Sequence, residues 1–337
     1  MNIAHDKQVL AVSGGVGGAK LALGLAQVLS AEQLTIVSNT ADDFEHLGFS
    51  ISPDLDTVMY TLAGLNNKEL GWGLAGETWS CMESLAHFSD QTWFRLGDKD
   101  LATHIYRSAE LQKGVSLSRV TEQLCQSLAI SHRLLPMTDD RVRTMVQTDQ
   151  GALAFQHYFV REQCRPVVSG FYFDGIEQAA PQSDVVALLE SSSLASIIIC
   201  PSNPFVSVDP LLKLAGVAAK MAANKAPVIA ISPIVGGSAI KGPAAKMFAE
   251  LGLACTCEGV ADFYGELLDG MVIDTVDAAF QPAIEAKGIP CLVTNTVMKS
   301  LQDRAELAEQ TLAFAEKLSQ GATSSRAKIA VDEEVGS

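Results

Sequence analysis

The chain has 337 residues, 48% of them hydrophobic, with a formal net charge of −15 and an isoelectric point near 4.8. This supports a sizeable core in one large domain or two, and the acidic balance argues against a nucleic-acid binder that works by neutralising phosphates. The seven scattered cysteines give no zinc pattern and fit a reducing cytoplasm, and no apolar run approaches the ~20 residues that cross a bilayer.

A polar lead-in over 1–6 precedes an apolar run, 9–12, that reads as a buried parallel strand. Gly14, Gly15, Gly17 and Gly18 follow, and 20–29 reads as a helix with Leu21, Leu25, Val28 and Leu29 on one face. Strand, glycine loop and helix present backbone N–H groups to a phosphate; a tight turn without a ligand is the alternative. The loop matches neither standard fingerprint. Lys20 is followed by Leu21 and Ala22 instead of Ser or Thr, and the second strand, 34–38, ends in Asn39-Thr40 with no acidic residue to hold a ribose. A nicotinamide dehydrogenase is therefore a weak reading.

A polar loop over 39–48 leads to a helix beginning near Ser52 or Asp54, with Pro53 suited to its first turn. Residues 64–130 read as mainly helical, with candidates at 77–88, 98–112 and 116–129. They interrupt the βαβ rhythm and are expected to lie over the carboxyl edge of the sheet, where insertions close sites as lids. Strands are predicted at 132–136, 142–147 and 153–160, with a turn at 148–151. The βα rhythm resumes with strands at 196–200 and 227–231, helices at 209–223 and 242–251, and a closing helix at 300–318. The tail from 321 to 337 reads as disordered. The fold class expected is α/β: a Rossmann-like parallel sheet with helices on both faces, built from 1–63 and 131–320, with the 64–130 insertion.

Ligands bind outside the carboxyl ends of the strands in such sheets. Three loops leave predicted strand ends with Gly or Pro constraint and polar donors: 13–20, 200–204 and 232–242. Ser202 and Asn203 suit a base or ribose, while Gly236, Gly237 and Lys241 suit a diphosphate. Any one loop alone is explained by turn chemistry; all three at one edge point to a nucleotide or diphosphate ligand. Asp42, Asp43, Asp54 and Asp56 gather after the second strand. Residues i and i+2 do not share a helical face, so Asp54 and Asp56 converge on an ion only if Asp54 sits at the cap; helix capping is the even alternative. Arg95 and Lys99 suit an anionic group and His104 a polar ligand, against a solvated helix start with a structural histidine. Trp72, Trp79 and Trp93 offer core packing or a platform for a flat aromatic molecule.

Eight stretches, in order across roughly residues 8 to 300, resemble the 2-phospho-L-lactate transferases of deazaflavin coenzyme biosynthesis. They are 13–20 (SGGVGGAK), 39–43 (NTADD), 52–57 (SPDLDT), 96–104 (LGDKDLATH), 135–140 (LPMTDD), 201–204 (PSNP), 232–237 (SPIVGG) and 241–243 (KGP). The resemblance implies a magnesium-dependent transferase of coenzyme F420 biosynthesis. Its substrates would be the deazaflavin Fo (7,8-didemethyl-8-hydroxy-5-deazariboflavin) and a three-carbon acid linked to guanosine diphosphate (GDP), and guanosine monophosphate (GMP) would be released. The acid is phospholactate, phosphoenolpyruvate or phosphoglycerate. Carried onto this chain, Gly14, Gly15, Val16, Gly17, Gly18 and Lys20 form the diphosphate cradle, with Ser202, Asn203 and the loop of Ser232, Pro233, Gly236 and Lys241 completing the nucleotide side. Asp54 and Asp56 are the expected catalytic and metal residues. Asn39, Thr40, Asp42, Asp54, Arg95, Lys99 and His104 face Fo and the transferred group. A cytoplasmic homodimer is expected, with no nucleic-acid or membrane partner; the weakly charged 205–235 region suits a dimer interface or sheet core. The alternative, from another class, is a nucleotide-sugar-binding regulator related to the gluconeogenesis factors, which share the glycine loop.

Overall fold

The computed structural model describes residues 6–239 and 242–334, with side chains described through 321. The chain opens with β1 (Gln8–Ser13), whose Leu10 and Val12 enter one hydrophobic core while Val9 and Ala11 enter another. Burial on both faces is why this strand is continuously apolar. The elements α1 (Gly15–Val28), β2 (Leu34–Ser38), the hairpin β3 (Phe44–His46) and β4 (Phe49–Ile51), and α2 (Pro53–Leu62) follow. Ser52 stands before α2 but does not cap it; its hydroxyl donates to Asp43 Oδ2 at 2.6 Å.

Residues 64–130 carry α3 (Ser80–Leu85), α4 (Asp100–Gln112) and α5 (Leu117–Ser127), the last capped by the Ser116 hydroxyl. Next come β5 (Arg133–Pro136), then β6 (Arg143–Thr148), β7 (Gly151–Ala154) and β8 (Val168–Asp174), which form a separate antiparallel sheet in the order β7-β6-β8. The rest runs α6 (Ser183–Leu189), β9 (Leu194–Ile199), α7 (Asp209–Lys213), α8 (Val217–Ala223), β10 (Val228–Ile231), the small hairpin β11 (Ile234–Val235) and β12 (Ser238–Ala239), α9 (Ala244–Glu250), α10 (Cys257–Tyr264), β13 (Gly270–Asp274), α11 (Gln281–Glu285), β14 (Cys291–Thr294) and α12 (Leu301–Glu334).

Seven strands form one parallel sheet in the order β14-β13-β10-β9-β1-β2-β5. From β1 the chain winds one way to β5, then crosses back to β9 and winds the other way. The reversal falls between β1 and β9, and loops leaving adjacent strands there diverge and open a crevice. The fold is therefore the Rossmann-like α/β architecture expected.

Two local expectations are corrected, and the open reading of 205–235 resolves to core packing within the chain. The single helix over 209–223 is two, α7 and α8, because Gly216 takes a left-handed conformation (φ 76°) at the break. The strand over 153–160 stops at Ala154, and His157–Arg161 coils into a π-helix, a form often found at functional sites. The apolar segments of 205–235 are core: Val206, Leu211, Leu214, Val217, Met221 and Ile229 are buried within the chain. The backbone of α12 continues through the predicted tail to Glu334, whereas 335–337 and the side chains beyond 321 lie outside the described residues. Among the described residues, no helix is long and apolar enough to cross a membrane.

Candidate active site

The glycine loop is fixed from two sides. Gly15 adopts φ +63°, a conformation that side chains resist, and its N–H donates to Asp54 Oδ1 at 2.8 Å. The Gly14 N–H donates to Ser202 Oγ at 3.0 Å, and the Ser202 hydroxyl donates back to the Gly14 carbonyl at 2.9 Å. A Cβ on Gly17 would lie 2.3 Å from the carbonyl oxygen of Pro201. The loops after β1 and β9 thus touch backbone to backbone, which only glycine permits here. Gly17→Ala is expected to lower stability by about 1–3 kcal/mol, the range for overpacking, measured by urea unfolding.

Asp54, on the first turn of α2, is buried and held by two elements. Its Oδ1 takes the Gly15 N–H, and its Oδ2 takes the Asn39 side-chain amide at 3.0 Å. The Asn39 side-chain Oδ1 in turn accepts the Ala41 N–H at 3.0 Å. Asn39 thus orients Asp54. Asp42 is also buried, and its Oδ1 has no hydrogen-bond partner among the described residues. Burial, and next the neighbouring Asp54 carboxylate, push the Asp42 carboxyl well above its ordinary range. Burial also raises Asp54, opposed by hydrogen bonds from Asn39, Gly15 and Ser207. Two buried carboxyls that repel each other favour a proton or a cation near them.

Both acids line a cavity of about 750 Å³ at the β1–β9 divergence. Of the nucleotide-side candidates, Gly14, Gly15, Val16, Gly17, Lys20, Ser202, Asn203, Ser232 and Pro233 line it. Gly18 packs against Ser13 and Ser202, Gly236 donates its N–H to Asp277, and neither lines the cavity; Lys241 lies outside the described residues. Arg95 lines it with its guanidinium 4.0 Å from the Trp79 ring centroid. Trp72 and Trp93 add aromatic wall, joined by Phe94, Phe155 and Phe159. Phe155 and Phe159 stack at 5.5 Å. Sequence reasoning missed this pair, because an assumed strand would have put both on one face for a different reason. It also missed Thr296–Lys299, which line the cavity from the loop after β14; that loop carries no glycine motif to flag it.

Five of the residues expected on the acceptor and metal side do not line the cavity, Asn39 among them, since its side-chain amide is spent on Asp54. Thr40 is buried in the loop after β2. Lys99 holds the insertion together, its Nζ donating to the Ala75 carbonyl at 3.2 Å and its N–H to Glu77 Oε2 at 2.9 Å. The expected convergence of Asp54 and Asp56 on one ion is corrected. Two residues on, the helix has turned well past a right angle, and Asp56 forms a buried ion pair with Arg107 of α4. His104 belongs to the same network: its Nε2 lies 3.2 Å from Asp100 Oδ2, while Asp100 Oδ1 accepts the Tyr60 hydroxyl at 2.6 Å. Among the described residues, no group of three or more His, Cys, Asp or Glu gathers to hold a metal. The pair that does fit a cation is Asp42 with Asp54, since Asp42 has an unpartnered buried oxygen in the cavity wall and magnesium takes one or two carboxylates plus substrate phosphates.

Fold and cavity together define a Rossmann-like ligand-binding protein whose site opens at the switch point of its sheet. Residues 9–305 match the family described as 2-phospho-L-lactate transferase CofD, and the chain belongs to that family of transferases. It is 41% identical to a phosphoenolpyruvate transferase of Kitasatospora aureofaciens, over 93% of this chain and 99% of that protein. It is 36% identical to a 2-phospho-L-lactate transferase of Methanococcoides burtonii, over 90% and 97% of the two chains. A crystal structure of a UPF0052 family member from Bacillus halodurans superposes with a TM-score of 0.61 over 92% of this chain and 100% of that one. At 14% identity this likeness concerns the fold alone. The family match favours a transferase over the regulatory reading.

Proposed function

We propose that this transferase acts in coenzyme F420 biosynthesis, moving a phospho-three-carbon-acid group from its GDP-linked donor to Fo. The observation that carries the reading is a single cavity lined by the glycine loop, by Asp42 and Asp54, and by Trp72, Trp93, Phe94, Phe155 and Phe159. The Gly14 and Gly15 N–H groups are spent on Ser202 and Asp54, which leaves the next backbone N–H groups of α1, at Val16 and Gly17 on the cavity wall, to suit a diphosphate, and the aromatic wall suits a flat deazaflavin ring.

In the proposed reaction the terminal ribityl hydroxyl of Fo attacks the phosphorus that bears the acid. The new P–O bond forms as the bond to GMP breaks, and GMP leaves with that electron pair. Asp54 accepts the hydroxyl proton, its position fixed by Asn39 and Gly15. Lys20, which also donates to the Met298 carbonyl at 3.2 Å, and Arg95 place positive charge along the cavity wall. Transfer of this kind depends on positioning and charge neutralisation more than on a covalent nucleophile. Asp42 and Asp54 would hold magnesium, which when bound supplies charge neutralisation to the diphosphate.

A relative named phosphoenolpyruvate transferase matches at 41% identity and one named 2-phospho-L-lactate transferase at 37%, so phosphoenolpyruvate and phospholactate are the leading acids. The test mixes protein, Fo, magnesium and GTP with phosphoenolpyruvate, phospholactate or phosphoglycerate, each with the enzyme that activates it. Mass spectrometry then looks for the Fo phosphodiester. A product with one acid is expected and names the donor. No product with any of them, despite measurable GDP binding, would return weight to a regulatory nucleotide-binding role. The same proposal includes a cytoplasmic homodimer, for which light scattering should give twice the 35.8 kDa chain mass.

A further inference from the structure

Two buried acids behind the cavity wall belong to none of the motifs above. Asp274 is the last residue of β13, and its Oδ2 accepts both the N–H (2.8 Å) and the hydroxyl (3.1 Å) of Thr296. Its Oδ1 accepts the Val276 N–H at 3.1 Å and the Thr275 hydroxyl at 3.2 Å. Asp277, three residues on, takes the Gly236 N–H on both oxygens, at 3.1 and 3.0 Å. Neither acid lines the cavity. The segments they grip both do so: Thr296–Lys299 after β14, and the stretch after β10 that contributes Ser232 and Pro233.

The local geometry needs these anchors. The β11–β12 hairpin has only two residues per strand and turns through Gly236 (φ +58°) and Gly237 (φ +74°). So short a hairpin does not hold itself in place, and the Asp277 carboxylate fixes its turn from the neighbouring strand end. The loop after β14 has no regular structure before α12 begins. It is tied by Asp274 at Thr296, by Lys20 at the Met298 carbonyl (3.2 Å), and by Asp303 at the Lys299 and Ser300 N–H groups (2.8 and 2.7 Å). One end of this tether is thus the glycine-loop lysine itself. Burial alone would raise the Asp274 carboxyl, yet the hydrogen bonds from Thr296, Val276 and Thr275 hold it below its ordinary value. It is therefore a charged acceptor at neutral pH.

We infer that Asp274 and Asp277 are positioning residues that set the spacing of these two loops and with it the affinity for the nucleoside diphosphate donor. The inference rests on the proposed placement of the donor between the glycine loop and these segments. Partners that orient metal ligands from behind typically carry 10- to 100-fold effects, and the same scale is taken for these loop anchors. Asp274→Ala and Asp277→Ala are each expected to raise the donor KM about 10- to 100-fold, with kcat changed by less than about threefold and the KM for Fo unchanged. The conservative variants separate positioning from bulk. One amide oxygen suffices for the single Gly236 N–H, so Asp277→Asn should restore the donor KM. Asp274→Asn loses acceptors on one side and should fall between alanine and wild type.

The experiment measures KM for donor and for Fo separately, together with GDP binding by calorimetry and urea unfolding of every variant. Thr296→Val removes one hydroxyl bond without opening a cavity and should raise the donor KM severalfold; it carries the test if an alanine variant does not fold. Donor KM values within twofold of wild type in the folded variants, or equal rises in the KM for Fo, would overturn the inference. If wild-type protein binds no GDP and turns over no donor, the proposed function fails instead.

Discussion

Asp54→Asn is expected to lower kcat by about two to four orders of magnitude, the range for loss of a positioned general base. The substitution keeps the side chain's size and leaves one oxygen for the Gly15 N–H. It removes the negative charge from the cavity wall. It also turns an amide nitrogen towards the Asn39 amide, so a bond of 3.0 Å becomes a contact between two donors. Two consequences should appear together. Turnover at saturating donor and Fo should collapse, and the magnesium dependence of the remaining activity should weaken, because Asp42 would be the one carboxylate left beside the phosphates. Circular dichroism controls for folding. Asp56→Asn provides the contrast, since Asp56 faces Arg107 instead of the cavity. Full turnover with unchanged magnesium dependence in Asp54→Asn would end the assignment of Asp54 as base and metal-side residue.

The second large effect concerns stability. Arg107 is 1% exposed, one of the largest side chains fully enclosed by the protein, and it pairs with Asp56, itself 5% exposed. Its Nη1 also reaches the Ser50 carbonyl at 3.4 Å, so one guanidinium joins α4, α2 and the β4 strand. Arg107→Met should destabilise the protein by about 3–5 kcal/mol, the range for leaving a buried charge without its partner. Most of that figure is the cost of the stranded Asp56 carboxylate, not the worth of the pair. The double variant Asp56→Leu with Arg107→Met should therefore recover much of the loss, and a double-mutant cycle by urea unfolding at pH 7 separates the two. If Arg107→Met unfolds within about 1 kcal/mol of wild type, a range typical of exposed pairs, the pair is open to solvent.

The sheet was legible because its chemistry is local. A strand buried on both faces is an uninterrupted apolar run, and a phosphate-type turn must be rich in glycine, so β1, β9, β10 and the loop at Gly14–Gly18 could be read directly. Much of the nucleotide side followed, since Ser202, Asn203, Ser232 and Pro233 leave predicted strand ends. What spacing could not decide was direction. Asp54 and Asp56 share a motif, and only the packing of α4 against α2 assigns one to the cavity and the other to Arg107. The aromatic wall was half visible: Trp72 and Trp93 stood out as isolated large rings, while Phe155 and Phe159 hid in an alternation that imitates a strand. Their π-helix is set by tertiary contacts, which local propensity does not record. Asp274 and Asp277 left no trace at all, because a hydrogen bond to another loop's backbone asks nothing of the partner's side chain.

The bond from Gly14 to Ser202 spans 188 residues, and that from Lys20 to Met298 spans 278. The cavity is thus closed by segments far apart in sequence. During synthesis from the N-terminus, α1 and the glycine loop emerge early, and Thr296–Lys299 is the last of the cavity-lining segments to follow. A nascent chain shorter than this has the phosphate turn without the Thr296–Lys299 part of the cavity wall. The same arrangement lets a bound ligand staple early-made and late-made parts of the protein to each other.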